Sequence, residues 1–156
     1  MATTLEIIAA VVDRLAQKLP GFAVEFFPEK PRDYRLNHPR GAFLVGFTGS
    51  RYGATLDTTY VAQQRDMRIT ITVVMRQLNG RGGAIDMVDV ARMSLLGWRA
   101  PDCKKMRAVQ ETYLGEVAGL WQYALDMTAE TVAVEDADVG TEAPLAGIGL
   151  EEEETT

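Results

Sequence analysis

Leu5, Ile8, Val12, Leu15 and Leu19 recur at spacings of three and four, and Ile7 and Val11 widen the stripe. That period belongs to an amphipathic helix with one apolar side. Thr3, with Glu6 three residues on, has the form of a capping box, in which each side chain satisfies a backbone amide at the helix start. Pro20-Gly21 stops the helix, so the pattern predicts a helix over 4–18. A second stripe, Ala84, Val88, Ala91, Leu95 and Trp98, predicts a helix over 85–97. Gly97 suits its C-terminus and Pro101 forbids continuation.

The remaining apolar segments carry a period of two or none. "FAVEFF", residues 22–27, reads as a short strand ending at Pro28, and the charged stretch holding Pro28, Pro31 and Pro39 as a surface loop. "GAFLVGF" from Gly41 reads as a buried strand. From Met67 the alternation is clean: Met67, Ile69, Ile71, Val73 and Met75 share one side, opposite Arg68, Thr70, Thr72, Val74 and Arg76. A mainly polar second side predicts an antiparallel sheet covered on one face. Between these strands, "TGSRYGATLDTTYVAQQRD" reads as a long polar connection or a protruding hairpin. "KMRAVQETYL" and "LWQYALDMTAETVAV", parted around Gly115 and Gly119, read as a closing hairpin. In that last segment Trp121, Tyr123 and Leu125 share the side expected in the core or at a subunit contact.

The expected fold class is therefore α+β. A mainly antiparallel sheet of four or five strands carries two helices on one face. Residues 1–134 make a single domain, with 135–156 an extended acidic C-terminal arm. The chain of 156 residues is long enough for one real core and shows no internal repeat.

Charge changes this picture only when divided along the chain. Eight of the 22 acids, Glu135, Asp136, Asp138, Glu142 and Glu151 to Glu154, lie in the arm, which has no Lys or Arg. The other 14 acids face all 16 basic residues, so the body is slightly positive and the arm strongly negative. Such asymmetry marks an interaction arm or a solvated tail. No apolar run approaches a membrane span, and the opening "MATTLEIIAAVVDR" holds Glu6 and Asp13, unlike a signal peptide. A lone Cys103 and a lone His38 give neither an internal disulfide nor a Cys/His metal site, and point to synthesis in a reducing cytosol.

"QLNGRGGAIDMVDV" raises the question of a nucleotide, since a glycine loop between strand and helix can cradle phosphates. The dinucleotide fingerprint needs a third glycine where Ile85 stands, and no P-loop sequence is present. The loop reads as a corner, with Arg81 left as a candidate for an isolated anion. Asp86 and Asp89 near a helix start complement its dipole. Asp57 and Asp66 show no surroundings that mark a working carboxylate pair. Lys104, Lys105 and Arg107 form the best basic cluster, but without interleaved aromatics they read as solvated. No catalytic constellation, cofactor site or metal site emerges.

Taken in order, "YRLNHPRGAFLVGFTGSRYG", "QQRDMRITITVVMR", "SLLGWRAPDC" and "GLWQYALDM" resemble the Mu-like phage tail terminator family. The likeness runs from about Tyr34 to Ala133 and leaves the acidic arm outside it. It implies a structural, non-enzymatic virion protein assembled in the bacterial host cytoplasm. Tail terminators form a ring, typically hexameric, on the head-proximal end of the tail tube. The implied partners are other copies of the chain, the tail tube protein, a neck or head–tail connector protein and, in a contractile tail, the sheath protein. No membrane and no sequence-specific nucleic acid is implied, although genome DNA would pass through the ring. Another phage ring or adaptor, or a small nucleotide-binding domain using Arg81, are the alternatives.

With that resemblance, the segment from Gly49 to Asp66 is expected to project and touch a neighbour or the tube. Its candidate contacts are Arg51, Tyr52, Tyr60 and Arg65, joined by Arg68, Arg76 and Arg81. In the arm, Leu145, Ile148 and Leu150 form a small apolar anchor beside Glu151, Glu152, Glu153 and Glu154, expected to dock on a partner chain.

Overall fold

The computed structural model describes residues 1–136. Its elements follow the order α1 (Thr4–Lys18), β1 (Ala23–Phe26), a 3₁₀ turn (Pro31–Asp33), β2 (Gly41–Thr55), β3 (Ala62–Met75), α2 (Ala84–Leu95), β4 (Arg107–Val117) and β5 (Leu120–Val134). Helix α1 begins as its sequence requires. The Thr3 hydroxyl accepts from the Glu6 amide at 3.2 Å, and the Glu6 carboxylate accepts from the Thr3 amide at 2.7 Å. The five strands form one sheet in the order β1-β2-β3-β5-β4, mostly antiparallel, as the alternation implied. The exception is β1, which runs parallel to β2, with Ala23 opposite Ala42 and Phe26 opposite Val45.

Two compact units are present. The first holds Met1–Arg51 and Asp66–Thr131. Its core is the face of the sheet under both helices. Ile7, Val11 and Leu15 of α1 and Val88, Ala91 and Leu95 of α2 meet Phe43 and Val45 of β2 and the full Met67, Ile69, Ile71, Val73, Met75 side of β3. Leu125, Met127 and Ala129 of β5 complete it, with Trp121 and Tyr123 packed at its margin. Burying each large aliphatic side chain contributes about 1.5–3 kcal/mol, which is why these alternating positions decide which way the strands face. Arg14 ties the helices together: its Nε donates to the Ser94 carbonyl at 3.0 Å and its guanidinium lies 5.8 Å from the Trp98 ring centre.

The opposite face of the sheet is only partly covered. Ala42, Leu44 and Val74 are buried there beneath Tyr34 and Leu36 of the loop after β1. Arg76 fixes that loop, donating from Nε to the His38 carbonyl and from Nη2 to the Leu36 carbonyl, both at 3.1 Å.

The second unit holds Tyr52–Arg65 with the described residues from 132 onward. Much of the polar segment between the apolar parts of β2 and β3 is strand, so the hairpin alternative holds and the strands are longer than their apolar runs. The Leu56 amide donates to the Ala62 carbonyl at 2.6 Å and the Gln63 side chain to the Gly53 carbonyl at 3.0 Å. Ladder bonds come from the backbone and are indifferent to side-chain polarity, so a polar run can pair as well as an apolar one. Asp57 turns the tip by accepting from the Thr59 amide at 2.8 Å and its hydroxyl at 2.7 Å. These two bonds, the amide's first, hold the Asp57 carboxyl below its ordinary value. The Glu135 amide donates to the Val61 carbonyl at 2.8 Å, which joins the end of the described chain to the same tip.

Candidate functional site

The uncovered face of the first unit carries three bands of different chemistry. At one end, Phe27, Tyr34, Leu36, Val117 and Leu120 line a mainly apolar hollow of about 600 Å³, together with Arg32, Arg35, Thr72 and Gln122. Burial, with the Glu25 carboxylate adding to it, pushes the Tyr34 phenol above its usual range. A polar ladder crosses the middle. Thr48 and Thr70 share a hydrogen bond at 3.2 Å, Thr70 donates to Asp126 Oδ1 at 2.6 Å, and Gln110 donates to Asp126 Oδ2 at 2.8 Å. Asp126 is 9% exposed, and both of its oxygens accept hydrogen bonds from neutral side chains. At the far end, Arg51, Arg68 and Arg107 line a hollow of about 490 Å³ with Thr48, Ser50, Asp66 and Thr128. None of the three arginines is ion-paired among the described residues.

The two edges of the sheet differ. Nearly all of β4 is exposed, and Val109, Tyr113, Leu114 and Val117 present apolar surface along it. Its pairing with β5 slips at Val109 and again at Leu114, and each slip leaves one apolar residue outside the ladder. Tyr113 and Tyr123 sit opposite one another with ring centres 5.2 Å apart. Arg92 of α2 braces this edge, reaching Glu111 at 2.5 Å and Asp89 at 3.0 Å. At the other edge Leu5, Phe26, Phe27 and Phe47 are exposed together around a shallow apolar hollow. Exposed edges with apolar side chains tend to pair with other chains; β4 is the long edge here, with eleven residues, and β1 has four.

The residues expected at an interface are distributed unevenly. Arg51 and Arg68 share the basic hollow. Tyr52 and Tyr60 are about half exposed and belong, with Arg65, to the second unit. Arg76 is committed to the loop carbonyls described above. Arg81 is exposed in the glycine loop. Leu145, Ile148, Leu150 and Glu151 to Glu154 lie outside the described residues. Arg107 joins the hollow although its sequence neighbours suggest a simple solvated cluster. The β4–β5 register sets Arg107 opposite Thr128, whereas Lys104 pairs with Glu130 at 2.9 Å. Only the pairing of two strands distant from β2 could reveal that convergence.

The glycine loop is a corner. Gly80 and Gly82 adopt φ of 84° and 82°, and a side chain on Gly83 would meet the Leu78 carbonyl oxygen at 2.6 Å. The amides at the start of α2 are used locally. Ala84 donates to the Gln77 carbonyl at 2.8 Å, Ile85 to the Leu78 carbonyl at 3.3 Å, and Gly82 to Asp86 Oδ2 at 2.8 Å. Cys103 is buried within the core cluster, while His38 stacks on Phe22 and accepts from the Arg40 amide. Among the described residues no cluster of His, Cys, Asp and Glu has metal-binding form, and no helix is long and apolar enough to cross a membrane.

The sequence matches a family profile described as Gp37 protein over residues 11–152. That profile runs well into the acidic arm, which the resemblance to tail terminators left out. No curated protein matches the sequence. In shape, the chain is similar to a chain of the virion of a native gene transfer agent particle, at 15% identity and a TM-score of 0.53. The alignment covers 85% of this chain and 98% of that one, so the likeness is of whole folds.

Proposed function

The chain belongs to the Gp37 protein family, and we propose that it is a structural, non-enzymatic component of a phage-like particle. The fold shared with a gene transfer agent virion chain supports that level of the reading. The finer reading is a tail terminator: a closed ring, hexameric as in the family the sequence resembles, seated on the head-proximal end of the tail tube. There it stops tube growth, meets the neck protein and, in a contractile tail, holds the last sheath ring.

The observation that carries the ring is the pair of unlike sheet edges. A ring needs heterologous contacts, in which one patch meets a different patch on the next copy. The exposed β4 edge and the Leu5, Phe26, Phe27, Phe47 patch at the β1 edge are two such patches on opposite borders of one sheet. A self-complementary dimer would need only one.

Sedimentation velocity and negative-stain micrographs of the purified chain test the ring, and particles made without the chain test its place. The expected outcome is a closed ring, disrupted by Val117→Glu and by Phe47→Glu, and tails of uncontrolled length in its absence. A chain that stays monomeric at every concentration would remove the ring. Tails of normal length that lack only their neck would instead assign the chain to head–tail joining.

A further inference from the structure

We propose that the uncovered sheet face of one copy receives the acidic C-terminal arm of a second copy. In this arrangement the apolar stretch 143–150 lies in the hollow lined by Tyr34, Leu36, Val117 and Leu120, and Glu151 to Glu154 lie on Arg51, Arg68 and Arg107. The proposal rests on the self-assembly proposed above, since it needs a second copy, and it adds which surfaces meet.

Three observations support it. The first is charge. Three arginines without an ion pair among the described residues line one hollow with a single acid, Asp66. Residues 137–156 carry six acids and no base. Unpaired guanidinium groups on a sheet face call for carboxylates or phosphates. The chain favours carboxylates, because its net charge is −6 and every copy brings its own acidic arm to compete with a nucleic acid.

The second observation is order. On the uncovered face the apolar hollow and the basic hollow lie along the same side of β3, from Val74 to Arg68. Six residues of strand span roughly 20 Å. In the arm, Ile148 and Glu154 are also six residues apart. An extended arm therefore matches the face along β3 at the same spacing, its apolar part on the mainly apolar hollow, which Arg32 and Arg35 also line, and its acids on the basic one. The polar ladder of Thr70, Asp126 and Gln110 lies between the two hollows with its side chains already bonded to one another.

The third observation is reach and membership. The described chain ends at Asp136, next to the Glu135 amide held by Val61. Twenty further residues extend up to about 66–72 Å, enough to cross a neighbouring copy. The family profile continues to residue 152 and so includes the apolar stretch and the first two glutamates. Repetition of a weak contact around a closed assembly raises its occupancy through effective concentration.

A zero-length carboxylate–amine coupling reagent tests this on the full-length chain. Arg68→Lys places an amine in the hollow, and copies with natural and heavy nitrogen are mixed before assembly. The expected product joins position 68 of one isotope to Glu151–Glu154 of the other. Its yield should fall at least about fivefold at 1 M salt, where the Debye length is about 3 Å, and equally when Arg51→Glu and Arg107→Glu are added. Arg81→Lys, in the exposed glycine loop, should give no such product. An assembled ring with no mixed-isotope product would overturn this proposal and leave the ring standing. A monomer with same-isotope product only would overturn both. Equal coupling at position 81 would also overturn it, as would duplex DNA binding lost on Arg68→Glu, which would assign the hollow to nucleic acid.

Discussion

Replacing Asp126 by alanine tests whether the polar ladder stabilises the sheet or merely occupies it. The carboxylate is almost wholly buried and accepts from Thr70 at 2.6 Å and Gln110 at 2.8 Å. Hydrogen bonds to a charged group contribute about 1.5–3 kcal/mol each in mutational series. Two effects reduce the loss on substitution. Gln110 is exposed and can turn to water, and Thr70 retains Thr48 at 3.2 Å. Removing a carboxylate that has no ion pair among the described residues also returns part of its desolvation cost, an amount of order several kcal/mol for a fully dry ion. The net expectation is a loss of about 1–2 kcal/mol, almost all from the Thr70 bond. Double-mutant cycles separate the terms. Coupling of Asp126→Ala with Thr70→Val should be about 1–2 kcal/mol, and with Gln110→Ala about 0.5 kcal/mol or less. Urea unfolding followed by Trp98 and Trp121 fluorescence, at one fixed protein concentration, supplies the four free energies of each cycle. If Gln110 couples as strongly as Thr70, or if Asp126→Ala stabilises the chain, the burial argument is wrong.

Thr3→Ala removes one half of the capping box and should cost about 1 kcal/mol, read as a lower urea midpoint with an unchanged slope; no change would mean that water replaces the cap. Gly83→Ala brings a methyl to 2.6 Å from the Leu78 carbonyl oxygen and 2.8 Å from that of Asn79, so a loss of about 2–3 kcal/mol is expected, whereas a neutral result would show that the corner relaxes. The Asp57 carboxyl should titrate below its ordinary 3.8 by carbon-detected NMR, because the Thr59 amide and then its hydroxyl favour the charged form. A depressed folded-state pKa stabilises the turn above the unfolded value and loses that contribution as pH falls through the folded one. Thr59→Val should therefore raise the midpoint part of the way, leaving the amide's share.

Both helices and the covered face of the sheet were legible in the residue pattern, because a buried side must be apolar at the period of its own element. Thr3 and Glu6 announced the start of α1, and Met67 to Met75 announced which side of β3 would be dry. The turn at Gly80 to Gly83 was legible too, since Gly80 and Gly82 take the positive φ that a tight corner needs. Apart from the closing β4–β5 hairpin, strand pairing was not legible. The parallel seat of β1 on β2 depends on contacts between segments about twenty residues apart, made through backbone groups that every residue carries. For the same reason β2 and β3 run on through polar residues that signalled a connection. The basic hollow collects Arg51, Arg68 and Arg107 from three strands, and Asp126 finds Thr70 and Gln110 on two others. Periodicity records which side of an element is buried, but it holds no information about which element lies beside it. Those neighbours follow only from the tertiary pairing, where loop-closure entropy, register and the burial of the whole core are settled together.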